Sequence, residues 1–211
     1  VTPNVTFQPT TVIGAFVIAP GSPVDVVAGN TQTVTVTVYD GYGNLIATGA
    51  TFDWSYAKVG STTNNGSLSS ATGTTTDATG VVTVVFTPST HAGDQYTVTA
   101  TAPGATATTA VITVIHAGVD NIVMTVDPTS TAGTAFDMSG TAYDEFGNLV
   151  TNFNDTVPIV VTGGATSPNG DAPVYPTSLA FSAGSSSTVT ATIYKAGTYT
   201  LAFATTDGYT M

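Results

Sequence analysis

Thr37-Val-Tyr-Asp-Gly-Tyr-Gly-Asn-Leu-Ile46 recurs one domain-length further along the chain as Thr141-Ala-Tyr-Asp-Glu-Phe-Gly-Asn-Leu-Val150. In each copy an alternating stretch runs into an Asp, Gly and Asn cluster and then becomes apolar again. That is the pattern of a strand, a tight turn and a return. Other landmarks keep the same order around both copies. Ala28-Gly29 precedes the first and Ala132-Gly133 the second, and His91-Ala-Gly-Asp-Gln-Tyr96 is answered by Lys195-Ala-Gly-Thr-Tyr199. A repeat on this scale means two homologous domains, with a boundary near His116-Ala-Gly-Val119. The short connection, poor in Pro, predicts a fairly stiff rod.

Between these landmarks the periodicity is two. Thr31–Tyr39, Val81–Phe86, Gln95–Ala100 and Thr188–Tyr194 alternate polar and apolar residues, each bounded by Gly, Pro, Asn or Asp. Nowhere do apolar residues recur at i, i+3, i+4 and i+7 through three turns, so no helix longer than a turn is expected. Short strands at roughly 8–12-residue spacing predict an all-β chain of two immunoglobulin-like sandwiches in tandem.

Composition narrows the function. The chain has 211 residues, 42% of them apolar, which is enough to bury a core. Charged residues make up 7%, against roughly 25% in typical soluble domains. About one residue in five is Thr, so hydroxyls rather than charges wet the surface, and β-branched Thr suits strands. Only Lys58 and Lys195 are basic and the net charge is −11. Nucleic acid and anionic membrane are therefore poor partners, because so little can neutralise their phosphates. Cysteine is absent, so stability must come from ladders, turns, ions or neighbouring subunits. No apolar run reaches the ~18 residues that a spanning helix needs. The chain opens at Val1 with neither Met nor a charged leader, which reads as a mature form or an excised segment.

The Ala-Gly opening, the Tyr-Asp-x-Tyr/Phe-Gly-Asn-Leu strand end, the Asp77-Ala-Thr-Gly80 turn and the Ala-Gly-x-Tyr-Thr closing strand resemble bacterial Ig-like domains of the invasin type. They are equally similar to Ig-like repeats of prokaryotic surface-layer proteins. The resemblance covers most of the chain and implies an Ig-like fold and a cell-surface or extracellular location. It does not specify a partner.

Few residues suggest chemistry. Asp40 and Asp144, with Glu145, are the candidates for a Ca²⁺ site, since calcium takes oxygen ligands. The plainer reading is that each Asp caps its own turn while Gly43 and Gly147 supply positive φ. Apart from that ion no cofactor is expected. His91 and His116 are too few for zinc without Cys. Neither lies near a Gly-x-Ser-x-Gly elbow, so no enzyme is expected. Lys58 shares parity with Trp54 and Tyr56, so it could point inward and form an isopeptide cross-link, whereas Lys195 sits at an exposed turn. Trp54 and Phe52 read as core, with a carbohydrate platform as the other use of such aromatics. Asn4, Asn65 and Asn154 stand in Asn-x-Ser/Thr sequons and are the glycan candidates.

The two domains differ at their ends. Domain one, residues 11–116, closes with Thr108-Thr-Ala-Val-Ile-Thr-Val-Ile115. Domain two, residues 117–211, reaches Met211 without a counterpart and so is expected to lack its final strand, leaving an open groove. Residues 1–10 form the surplus element. Val1, Pro3, Val5 and Phe7 fall on one face, in the sequence slot of the missing strand. Two readings follow: this strand enters domain two of a neighbouring copy, or the chain is cut from a longer tandem array. Burial of Val1, Val5 and Phe7 would contribute roughly 5–8 kcal/mol. The expected function is thus a structural subunit of an extracellular filament or surface layer, with copies of itself as partners. The alternatives are the stalk of an adhesin and a carbohydrate-binding accessory module.

Overall fold

The computed structural model describes residues 2–204. The chain divides into two compact units, Val1–Ile115 and His116–Met211. Each unit is all β.

The first unit contains β1 (Ile13–Ala19), β2 (Val24–Val27), β3 (Gln32–Asp40), β4 (Thr48–Val59), β5 (Ser67–Leu68), β6 (Thr72–Thr76), β7 (Val81–Thr87), β8 (Gln95–Ala102), β9 (Ala105–Thr108) and β10 (Ile112–Ile115). One sheet runs β1-β3-β7-β5. The other runs β2-β10-β8-β4-β6, with β9 also paired to β8. Alternation places Val34, Val36 and Val38 of β3 and Phe86 of β7 against Trp54, Tyr96, Val98, Ile112 and Val114 of the facing sheet, all in one core. This is a two-layer sandwich. Aromatic edges tie it together: Phe52 meets Trp54 at 5.2 Å and Phe86 meets Tyr96 at 5.2 Å between ring centres. Gly73 lies under this cluster because a Cβ there would come within 2.5 Å of the Phe52 ring.

The expected closing strand, 108–115, is in fact two. Ala105–Thr108 folds back on β8 as β9, and Ile112–Ile115 then pairs with the opening of β8 and runs parallel to β2. Thr109 is at the break. Its N–H donates to Val98 O at 2.9 Å, and its hydroxyl accepts from the Val98 N–H at 3.0 Å. Those side-chain and backbone bonds let the strand shift without orphaning a buried amide.

The second unit contains β11 (Asn121–Val126), β12 (Ala135–Tyr143), β13 (Thr156–Thr162), β14 (Ser178–Ser182), β15 (Ser185–Ser186), β16 (Val189–Thr192) and β17 (Thr200–Phe203). β11, β12 and β16 form one layer and β14, β13 and β17 the other. The β14–β15 hairpin joins the layers into a continuous path. Ile122, Met138, Ile159, Leu179, Phe181 and Phe203 fill the core.

The repeated motif has the same structure in both units. Asp40 N–H donates to Asn44 O at 2.9 Å and Asp144 N–H to Asn148 O at 3.0 Å. The turn between requires the left-handed region, and Gly43 (φ 82) and Gly147 (φ 81) take it without a Cβ penalty.

Candidate functional site

The carboxylates of the two repeated turns are spent on the backbone. Asp40 Oδ1 accepts from the N–H groups of Tyr42 (2.9 Å) and Asn44 (2.8 Å). Its Oδ2 accepts from Asn44 Nδ2 and from the N–H of Thr10, each at 3.1 Å. Asp144 repeats the set. Oδ1 accepts from Phe146 (3.0 Å) and Asn148 (2.8 Å), and Oδ2 from Asn148 Nδ2 (2.8 Å) and the N–H of Ala117 (2.8 Å). Burial alone would raise both pKa values, but the Asn side chains and the converging amides outweigh it and hold both carboxyls below the ordinary 3.8. Glu145 is exposed beside this turn. Among the described residues no three His, Cys, Asp or Glu side chains come together as a metal-ion group.

The other chemistry-bearing residues are dispersed. His91 Nδ1 lies 3.6 Å from Asp94 Oδ1, and Asp94 Oδ2 accepts from Ser89 Oγ (2.5 Å) and Asn64 Nδ2 (2.8 Å). Here the Ser89 hydroxyl donates to the carboxylate rather than to the imidazole. His116 Nδ1 lies 2.8 Å from Ala117 O. Lys58 does not point inward. Past Tyr56 the strand leaves the core, and Lys58 Nζ donates to Thr63 O at 2.6 Å from an exposed position, where the apolar setting of a cross-link is missing. Trp54 is a core residue. Asn4 and Asn65 are exposed. Asn154 is exposed too, but its amide is engaged at both ends, with Oδ1 accepting from Ala183 N–H and Nδ2 donating to Asn152 O, each at 3.0 Å.

A cleft in the second unit has a volume of about 360 Å³. It runs between the 127–134 segment and the 195–201 segment, with Val126, Phe136, Ile193, Tyr199 and Leu201 as its apolar wall. In the first unit the corresponding place, between β2 and the opening of β8, is filled by β10. There Tyr96 is fully buried, whereas its counterpart Tyr199 is half-buried. β2 pairs only with β10. Accordingly, residues 128–132 of the second unit carry no strand, having no ladder to join. Among the described residues nothing occupies the place of β10 in this unit.

Residues 2–9 are the converse. They make no strand pairing among the described residues, and Val5 and Phe7 are 73% and 90% exposed. Val1 lies outside the described residues. The cleft wall was not singled out in the sequence, although Tyr199 of the closing Ala-Gly-x-Tyr-Thr pattern belongs to it. The Thr10 and Ala117 contacts had no trace, because a backbone N–H is common to nearly every residue type.

No family model matches the chain, and no curated protein matches it. Among solved structures it is similar to surface layer protein SbsC. Against domains 5–6 it has 21% identity over 93% of this chain and 91% of that one, with a TM-score of 0.35. Against domains 4–9 the values are 19%, 92%, 29% and 0.34. The adhesin InvE of Yersinia pseudotuberculosis is 18% identical over 89% of this chain and 54% of its own, at a TM-score of 0.36. A β-glycosidase from Bacteroides vulgatus is 12% identical over 94% of this chain and 24% of its own, at 0.34. At such TM-scores these likenesses say nothing of what this chain does.

Proposed function

We propose that the chain is a structural subunit of an extracellular filament or surface layer. In this reading the arm at residues 2–8 of one copy enters the second-unit cleft of the next. The observation that carries it is the match, among the described residues, between a place filled in one unit and open in the other, beside an alternating arm that makes no strand pairing with them. An edge left open beside apolar walls is an aggregation hazard unless something fills it, and an added strand fills it with main-chain bonds.

The energetics suffice. Burying Val5 and Phe7 would contribute roughly 3–6 kcal/mol. Each of several ladder hydrogen bonds would add about 0.5–1.5 kcal/mol net. Pro3 lacks an N–H and would lose one ladder bond, which an edge position tolerates. The hydroxyl-wetted surface, with only 7% charged residues, suits close packing of copies, while the net charge of −11 makes assembly easier as salt screens it. A head-to-tail contact of this kind is heterologous and generates an open polymer.

The test is to trim the arm. A chain beginning at Pro9 keeps Thr10 and every described pairing of the first unit, so it folds as the parent does. It should sediment as single molecules at concentrations where the full chain forms fibres. A synthetic peptide of residues 2–9 should raise the melting temperature of its second unit. Fibres formed by the trimmed chain as readily as by the full one would contradict the proposal, and the tandem-array stalk would take its place.

A further inference from the structure

The site of insertion also has a register. Asp40 and Asp144 hold equivalent places in the two units, and each gives its Oδ2 to one amide of the chain arriving from the N-terminal side: Thr10 at 3.1 Å, Ala117 at 2.8 Å. Thr10 is therefore the structural counterpart of Ala117. Counting back from that shared anchor puts Gln8 level with Ile115, Phe7 with Val114, Thr6 with Thr113 and Val5 with Ile112. The first unit is three residues longer between anchor and carboxylate, 30 against 27, but this does not disturb the count. All three lie on the far side of the anchor, one in the irregularity between Ile13 and Ala15 and two in the connection from β1 to β3.

The chemistry agrees at every position. Ile112 and Val114 are buried in the first-unit core, while Thr113 and Ile115 turn outward. The arm offers apolar Val5 and Phe7 at the inward places and polar Thr6 and Gln8 at the outward ones. A slip of one residue would reverse every side chain, burying Thr6 and Gln8.

The acceptor side can be read the same way. In the first unit Thr113 stands opposite Asp25 of β2 and Gln95 of β8, and Gln95 Nε2 donates to Thr113 Oγ1 at 3.4 Å, so the two side chains share a face. The repeated Ala-Gly pair makes Thr129 the counterpart of Asp25, and the repeated Tyr makes Thr198 the counterpart of Gln95. Both threonines line the cleft.

We infer, resting on the assembly proposed above, that the joint between copies reproduces residue for residue the junction inside the chain. Val5 and Phe7 take the places of Ile112 and Val114, and Thr6 lies opposite Thr129 and Thr198 of the receiving copy. Every sandwich along the polymer then follows the last through the same linkage, whether or not the peptide chain is continuous there.

Cysteine pairs read this register directly, because the chain has no cysteine of its own. Directly opposed residues on antiparallel strands sit about 4.5–5.5 Å apart at Cα, within disulfide reach. The full chain carrying Thr6→Cys and Thr198→Cys should give a ladder of covalent multimers on mild oxidation. Asn4→Cys or Gln8→Cys combined with Thr198→Cys, the two-residue slips, should cross-link at least tenfold more slowly. Fastest cross-linking through position 4 or 8 would overturn the register while leaving strand insertion intact. Normal fibres with no cross-link from any pair would overturn both.

Discussion

Ala117 donates its backbone N–H to Asp144 Oδ2 at 2.8 Å, so the chain entering the second unit is tied to the turn that defines that unit's repeat motif. The same carboxylate gathers three more donors from Phe146 and Asn148, and it is 3% exposed. Losing it would leave several amides short of a partner. Asp144→Ala should destabilise the second unit by about 3 kcal/mol, given that bonds to a charged group count most and unmet buried donors cost ~1–3 kcal/mol. Urea unfolding followed by second-unit tyrosine signals checks this. A midpoint equal to the parent's would show that the turn is held by its backbone alone.

Acid should unfold the protein through these same groups. Asp40, Asp94 and Asp144 are each pushed up by burial but brought below 3.8 by the donors around them, and Asp77 is lowered chiefly by the Thr79 hydroxyl. A carboxyl whose folded pKa is depressed adds stability that is complete above its unfolded value and disappears as pH falls through the folded one. The urea midpoint should therefore be flat from pH 7 down to about 5 and fall progressively below that. Asp144→Asn should flatten part of the decline. A midpoint unchanged down to pH 2 would contradict the shifts.

Trp54 is 5% exposed, packs edge-on to Phe52, and has its Nε1 buried without a hydrogen-bond partner among the described residues. Trp54→Ala should cost about 3–5 kcal/mol in the first unit. Trp54→Phe should cost less than half as much, because it also removes the unmet N–H. Indole emission should be that of a buried ring. Emission typical of indole in water from the folded protein would rule out the core role.

Removal of divalent cations should leave the melting temperature where it is. The oxygens of Asp40 and Asp144 already take four hydrogen bonds each, which leaves little lone-pair capacity for an ion. A drop after exhaustive chelation would show that calcium displaces some of these donors.

Several strands were legible because one buried face imposes period two, and β3, β7, β8 and β16 lie where the alternation runs. Ends and splits were less so. The pattern from Thr108 to Ile115 reads as one strand, and only the pairing partners of Thr109 reveal the break. Lys58 kept inward parity in the sequence because parity does not report where a strand outruns its core. At the candidate site the apolar arm was visible from alternation. The cleft wall was not, since Val126, Phe136 and Ile193 come from separate elements that only the fold brings together. The anchor amides of Thr10 and Ala117 were invisible for a different reason: their function belongs to the backbone.

Charging single positions of the arm tests the central claim most directly. Val5 and Phe7 are exposed in the single chain, so Val5→Asp, Phe7→Asp and Thr6→Asp should all fold with the parent's melting temperature. Sedimentation velocity at one concentration then separates them. An aspartate on the inward face must be buried unpaired to enter the cleft, whereas one on the outward face stays in water. The account predicts single molecules for Val5→Asp and Phe7→Asp and parent-like polymers for Thr6→Asp. Parent-like polymers from Val5→Asp and Phe7→Asp would contradict it.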